Sequence, residues 1–194
     1  MQTDPDVALM LRFKDGDPDA FQQLFDRHKN SVIHFCHRFC GDERVAEELA
    51  QETFIRVYRA AGRYYPKALF RTWLFKIATN VCLNELRRPG YRMRSESLDG
   101  PGSKKYEASI NQQAGYDSKR PDALLHQEEQ RHMVLAAIAR LPGDQRAALL
   151  LRVEGEFSYH EIGQQMGRSE NQVKTLIYRG RRKLKDALGK YFGD

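Results

Sequence analysis

Apolar residues recur along this chain with a helical period, and no stretch carries the two-residue alternation of a half-buried strand. Phe21, Leu24, Phe25, Val32, Phe35 and Phe39 fall on one helical stripe, and Val45, Leu49, Thr53 and Val57 on another. The punctuation agrees with the period. Asp4 before Pro5 and Asp17 before Pro18 each pair a capping carboxylate with a proline suited to the first helical turn. Gly16, Gly41 and Gly62 fall where helices are expected to stop. A fourth helix is predicted from about Phe70 to Arg88, ended by Pro89.

From Pro89 to about Pro121 the apolar period disappears, and Gly, Ser, Pro and polar residues take over. Such a composition predicts a linker, longer than the connections usual within one domain. Helical spacing resumes at Ala123 and runs through Leu135, Ile138 and Leu141. The expectation is an all-α protein of two small helical domains, residues 1–90 and 122–194, joined by a flexible linker over 91–121.

The second domain carries the sharpest local signal, SYHEIGQQMGRSENQVKTLIYRGRRKLK over residues 158–185. Ser158 with Glu161 and Ser169 with Gln172 have capping-box spacing, so two helix starts lie close together. Gly167 between them suits a tight turn. Ile162, Met166, Val173, Leu176 and Ile177 can pack the two helices together, which predicts a helix-turn-helix. Asn171, Lys174, Thr175, Tyr178, Arg179 and Arg182 then face outward, as a helix entering a DNA major groove requires.

Charge sharpens this picture. The whole chain has a net charge of +6, and the stretch from Arg168 to Lys190 accounts for all of it. A concentrated positive face favours a polyanion, of which duplex DNA is the simplest. No apolar run is long enough to span a bilayer, and the acidic start MQTDPD is unlike an export signal. The expected location is the cytoplasm, with Cys36, Cys40 and Cys82 as reduced thiols and no direct membrane insertion. Cys36 and Cys40, with His34 and His37, form the one metal-like cluster, but a closed zinc site needs a second ligand pair. Buried thiols are the expected reading; no metal and no cofactor are assigned, and a redox role is left open. No phosphate-binding glycine loop, nucleophile elbow or paired-carboxylate setting is present, so no catalytic residues are expected and an enzyme is not.

A second nucleic-acid surface is predicted from Tyr64 to Arg88, where aromatics mix with Arg, Lys and Asn. Aromatic faces stack on unpaired bases while cations hold phosphates, a mixture that suits a single strand. Trp73 and Phe75 are expected mostly in the core. A regulator with a single helix-turn-helix would explain the second domain but would leave this segment without a purpose.

One duplex-type and one single-strand-type surface on a single chain resemble the bacterial sigma factors of the extracytoplasmic-function group. Ala46–Ala60 resembles the family's polymerase-binding helix, Phe70–Arg88 its promoter-melting helix, and Leu141–Leu184 its carboxy-terminal domain. The resemblance implies a transcription initiation factor that directs core RNA polymerase to promoters and assists melting without catalysing nucleotide addition. It also implies an anti-sigma factor as controller.

The same resemblance implies three sites. Glu48, Gln51 and Glu52, with Phe54 or Ile55 as apolar anchor, would meet a basic coiled coil on the clamp of the largest polymerase subunit. The loop Tyr64–Leu69 would capture a base flipped from the −10 element, and Asn80 and Asn84 would face that strand, where an amide can both donate and accept. Tyr64, Tyr65, Lys67, Phe70, Arg71, Trp73, Lys76, Arg87 and Arg88 complete this −10 set. Ser169, Asn171, Gln172, Lys174, Thr175, Tyr178, Arg179 and Arg182 would meet the −35 duplex. Gly180 stands where the family often has Ala and lowers helix propensity by about 1 kcal/mol.

Overall fold

The computed structural model describes residues 4–89 and 121–192. Among these, every regular element is helical: α1 (Pro5–Lys14), α2 (Pro18–Cys40), α3 (Glu43–Ala60), a 3-10 turn (Ala61–Arg63), α4 (Phe70–Arg87), α5 (Pro121–Ala139), α6 (Gly143–Val153), α7 (Tyr159–Met166) and α8 (Glu170–Phe192). The linker expected over 91–121 lies outside the described residues, except that Pro121 already begins α5.

The predicted punctuation has direct counterparts. The Asp4 carboxylate accepts from Asp6 N at the start of α1, and Asp17 accepts from Asp19 N and Ala20 N at the start of α2. Gly41 closes α2 at φ +79°, a left-handed conformation that costs glycine little. At Gly62 there is no such stop. Helix α3 tightens into the 3-10 turn, and Gly62 keeps an ordinary φ within it.

Helices α2, α3 and α4 pack around Leu24, Val32, Phe35, Phe39, Val57, Phe70, Leu74 and Phe75, all almost wholly buried. Burying each such side chain contributes roughly 1.5–3 kcal/mol, and Leu24, Val32, Phe35, Phe39 and Val57 belong to the two helical stripes read from the sequence. In the second half, α6 is sheathed by α7 and α8, with Leu150, Leu151, Ile162, Val173 and Ile177 buried between them.

The two halves are docked on one another, and their buried apolar residues form one continuous core. The buried Arg146 on α6 is the main polar connection. Its guanidinium donates to Phe39 O at the end of α2 (2.7 Å), to Leu141 O (3.1 Å) and to Ala139 O, and lies over the Phe39 ring. A cation suits the carbonyls at the end of a helix, where the backbone dipoles leave negative charge. The turn after α6 makes the second connection. Phe157 packs edge-on against Phe75 at 5.6 Å, and Glu154 pairs with Arg38 at 3.0 Å.

Candidate nucleic-acid and polymerase interfaces

The helix-turn-helix is assembled by local chemistry. Ser158 and Glu161 cap α7 reciprocally, and Ser169 and Gln172 do the same for α8: Ser169 N donates to Gln172 Oε1 (2.9 Å) and Gln172 N to Ser169 Oγ (3.3 Å). Gly167 ends α7 at φ +64°. Gly163, which sequence reading passed over, is equally necessary. A Cβ there would lie 2.7 Å from Arg168 O, so only glycine lets α7 approach the turn this closely.

On α8, Asn171, Lys174, Thr175, Tyr178, Arg179 and Arg182 are all exposed, while Val173 and Ile177 are buried beneath them. Ser169 and Gln172 are also exposed but are engaged in the cap. Lys174 sits 2.9 Å from Glu170 and 5.6 Å from the Tyr159 ring centre. The hydrogen bond between Lys174 and Glu170 raises the ammonium pKa and lowers that of the carboxyl, so both stay charged. A phosphate arriving at Lys174 therefore competes with Glu170 for the same ammonium.

On α4 the predicted residues divide. Lys76, Asn80, Asn84 and Arg87 are exposed at three- and four-residue spacing and share one face, with half-buried Trp73 one turn before them. Tyr65 and Lys67 stand exposed in the loop, Tyr65 with 72% of its surface free. Arg88 is exposed and pairs with Glu85 at 3.0 Å. Three assignments need correction as direct DNA contacts. Phe70 and Tyr64 are buried, packed against Trp73 at 5.9 and 4.8 Å, and they support the loop from below. Arg71 points to the other half of the protein: it donates to Glu154 O (3.3 Å) and lies over the Phe157 ring. Phe75 is core, as expected for an aromatic of this helix.

On α3, Glu48 and Gln51 are exposed, and Glu52 is half-exposed and pairs with Arg56 at 2.7 Å. Of the two candidate anchors, Ile55 is exposed, whereas Phe54 is buried against Phe25. A groove of about 390 Å³ opens beside them, lined by Phe21, Phe25, Gln51, Phe54, Ile55, Tyr58 and Arg59. Tyr58 was not singled out from sequence, yet it is 57% exposed, with its ring tilted against Phe13 and edge-on to Phe21. Its spacing from Gln51 and Ile55 on one helical face was the available signal.

The cysteines are placed for packing. Cys36 lies 3.7 Å from Cys82 across α2 and α4, a long-range neighbour that the cluster read from the sequence did not include. Burial pushes the Cys40 thiol up to about 12 and raises that of Cys82, which keeps both protonated. Burial lowers His34 and His37, the latter to about 4, with Arg131 acting in the same direction. Among the described residues, no group of three or more His, Cys, Asp or Glu side chains is disposed to hold a metal, and no helix is long and apolar enough to cross a membrane.

Two family models match the chain in order. Residues 24–90 match Sigma-70 region 2 and residues 131–184 match Sigma-70, region 4. The ECF RNA polymerase sigma factor SigW of Bacillus subtilis is 32% identical over 177 residues, covering 90% of this chain and 92% of that protein. Among solved structures, CnrH in complex with the cytosolic domain of CnrY superposes with a TM-score of 0.65 at 21% identity, covering 96% of this chain and 98% of that one. The sigma factor RpoE of Bartonella quintana, in complex with the anti-sigma factor NepR, gives 0.62 at 20% identity, covering 89% and 98%. At these identities the two structures establish likeness of fold.

Proposed function

The chain belongs to the extracytoplasmic-function group of RNA polymerase sigma factors, and from that premise we propose how its surfaces divide the work of initiation. It directs core polymerase to promoters and assists their opening; nucleotide addition stays with the core enzyme. The observation that carries this reading is the ordered pair of matched regions, the first holding an exposed Lys-Asn-Asn-Arg face on α4 and the second an exposed basic face on α8.

Each surface suits its partner chemically. Glu48, Gln51 and Glu52 present carboxylates and an amide beside an apolar groove, a combination fit for a basic helical pair on the polymerase clamp. Ile55 and Tyr58 are the anchors, with Phe54 as the floor. Asn80 and Asn84 read base edges of the −10 single strand while Lys76 and Arg87 hold phosphates. Asn171, Lys174, Thr175, Tyr178 and Arg179 enter the −35 major groove, with Arg182 on the backbone. The units doing this are residues 1–90 and 122–194, acting in the cytoplasm. An anti-sigma protein that covers these faces holds the factor inactive; RpoE of Bartonella quintana is found in complex with such a partner, the anti-sigma factor NepR.

Run-off transcription from pooled bacterial promoter fragments, with core polymerase in the presence and absence of the chain, tests the reading. Discrete transcripts that require the chain are expected. Their absence, with the chain binding duplex DNA alone, would instead indicate a regulator that uses only the helix-turn-helix.

A further inference from the structure

Helix α1 precedes the region-2 match, which begins at residue 24. Its two ends nevertheless hold the two ends of the Tyr64–Leu69 loop. Asp4 uses both carboxylate oxygens: Oδ1 accepts from Asp6 N (3.0 Å) and caps α1, while Oδ2 accepts from Phe70 N (2.8 Å), the first residue of α4. Helix α4 has no capping side chain of its own, since Leu69 stands at its N-cap. The carboxylate therefore supplies in trans both an acceptor for the first helical N–H and a negative charge at the positive end of the helix. At the other end of α1, Lys14 Nζ donates to Tyr64 O (3.0 Å), where the loop begins.

Between these two anchors residues 65–69 are all exposed, and the loop rests on the Tyr64–Phe70–Trp73 aromatic cluster. The clamp is itself fixed to the body of the domain. Asp6 on α1 pairs with Arg27 and bonds His28 Nε2 at 2.7 Å, and the His28 ring lies 5.5 Å from that of Phe70. A short exposed loop held at both ends has little conformational freedom left to lose when a base enters it.

We propose that Asp4 and Lys14 are positioning residues for promoter opening, preorganising the 65–69 loop and the start of α4 for capture of the −10 single strand. This rests on the reading of that loop as the base-capturing element. Neither residue touches DNA; each acts through a backbone atom at one end of the loop.

Asp4→Asn is the discriminating variant. Asn caps a helix about as well as Asp, but its amide has one acceptor oxygen where the native side chain uses two. It can cap α1 or hold Phe70 N, not both. The experiment uses holoenzyme formed with the full chain and a promoter defined by run-off transcription. The probes are a non-template-strand oligonucleotide covering the −10 element and a separate −35 duplex. Asp4→Asn is expected to weaken the single-strand complex roughly tenfold, the size of one charge-assisted hydrogen bond, with Tm lowered by no more than about 4 °C and with core affinity and −35 affinity unchanged. Lys14→Met gives a smaller loss of the same kind. Tyr65→Ala with Lys67→Ala tests the loop itself. If the loop variant loses single-strand affinity while Asp4→Asn and Lys14→Met keep it, the clamp is overturned and the loop reading stands. If the loop variant also keeps it, both fall. Loss of −35 and core affinity in parallel with the single strand would reduce Asp4 to a general structural role and overturn the positioning claim.

Discussion

Helices α4 and α8 both expose amide and cationic side chains on one face, but they are built in opposite ways. Helix α8 is locally complete. Its start is capped by Ser169 and Gln172, the turn before it is shaped by Gly163 and Gly167, and its outward residues are exposed, with Lys174 held by Glu170 of the same helix and the adjacent Tyr159 ring. Helix α4 borrows its start from Asp4, rests its first turn on buried Tyr64 and Phe70, and commits Arg71 to Glu154 in the other half. The contrast suits the tasks proposed for the two helices. Reading a duplex groove requires a rigid helix and little else, whereas capturing an unstacked base repays melting only if the pocket is held ready beforehand.

Four perturbations break or sharpen this contrast, beginning with the largest. Arg146→Met removes the guanidinium that joins α6 to the end of α2, and leaves Phe39 O and Leu141 O without their donor. A loss of about 3 kcal/mol in urea unfolding is expected, the scale of a buried charged hydrogen-bond network. Solution scattering should show the halves separating. Stability within about 0.5 kcal/mol of wild type, as for an ordinary surface site, would mean that Arg146 does not hold them together.

Lys174→Ala combined with Arg179→Ala strikes α8 alone. Binding of −35 duplex should fall at least about tenfold, and the salt dependence should flatten by about two counterions. Single-strand −10 binding should be untouched. Equal losses on both probes would erase the division of labour between the helices.

Gly180→Ala sharpens the contrast from the stabilising side. Gly180 is buried on α8, yet the nearest atoms a Cβ there would meet, on Gln145 and Leu141, lie at 3.7–3.9 Å, which is ordinary packing. A gain of about 1 kcal/mol in the unfolding free energy is expected. A loss would show that α8 needs the flexibility of glycine at this point.

The last effect concerns pH at the docked faces and is absent at neutral pH. His37 is held down to about 4 from its ordinary 6.5, by burial first and then by Arg131 on α5. Between those two values the unfolded chain binds the proton that the folded one refuses. The contribution of His37 is therefore present above about 6.5 and is lost as the pH falls toward 4. Unfolding free energies at neutral pH and near pH 4.5 should show a shallower decline for His37→Gln than for wild type. Identical declines would exclude His37 as a source of the acid sensitivity.

What sequence alone determined is the local order. Helical stripes, Asp-Pro starts, the left-handed glycines at 16, 41 and 167, and both capping boxes depend on groups within a few residues of one another, so spacing suffices to find them. The outward face of α8 was legible for the same reason, because two buried positions, Val173 and Ile177, set the helix's rotation. What only the tertiary structure decided joins residues far apart in the chain. No spacing rule connects Asp4 to Phe70 or Arg146 to Phe39, and an arginine within GDQRAALLLRV carries no mark of burial. Likewise Tyr64, Phe70 and Arg71 match a family's DNA surface by position, but packing against Trp73 and Phe157 turned them inward or across. Whether an aromatic or an arginine faces solvent depends on which apolar surface reaches it first, and that surface comes from elsewhere in the fold.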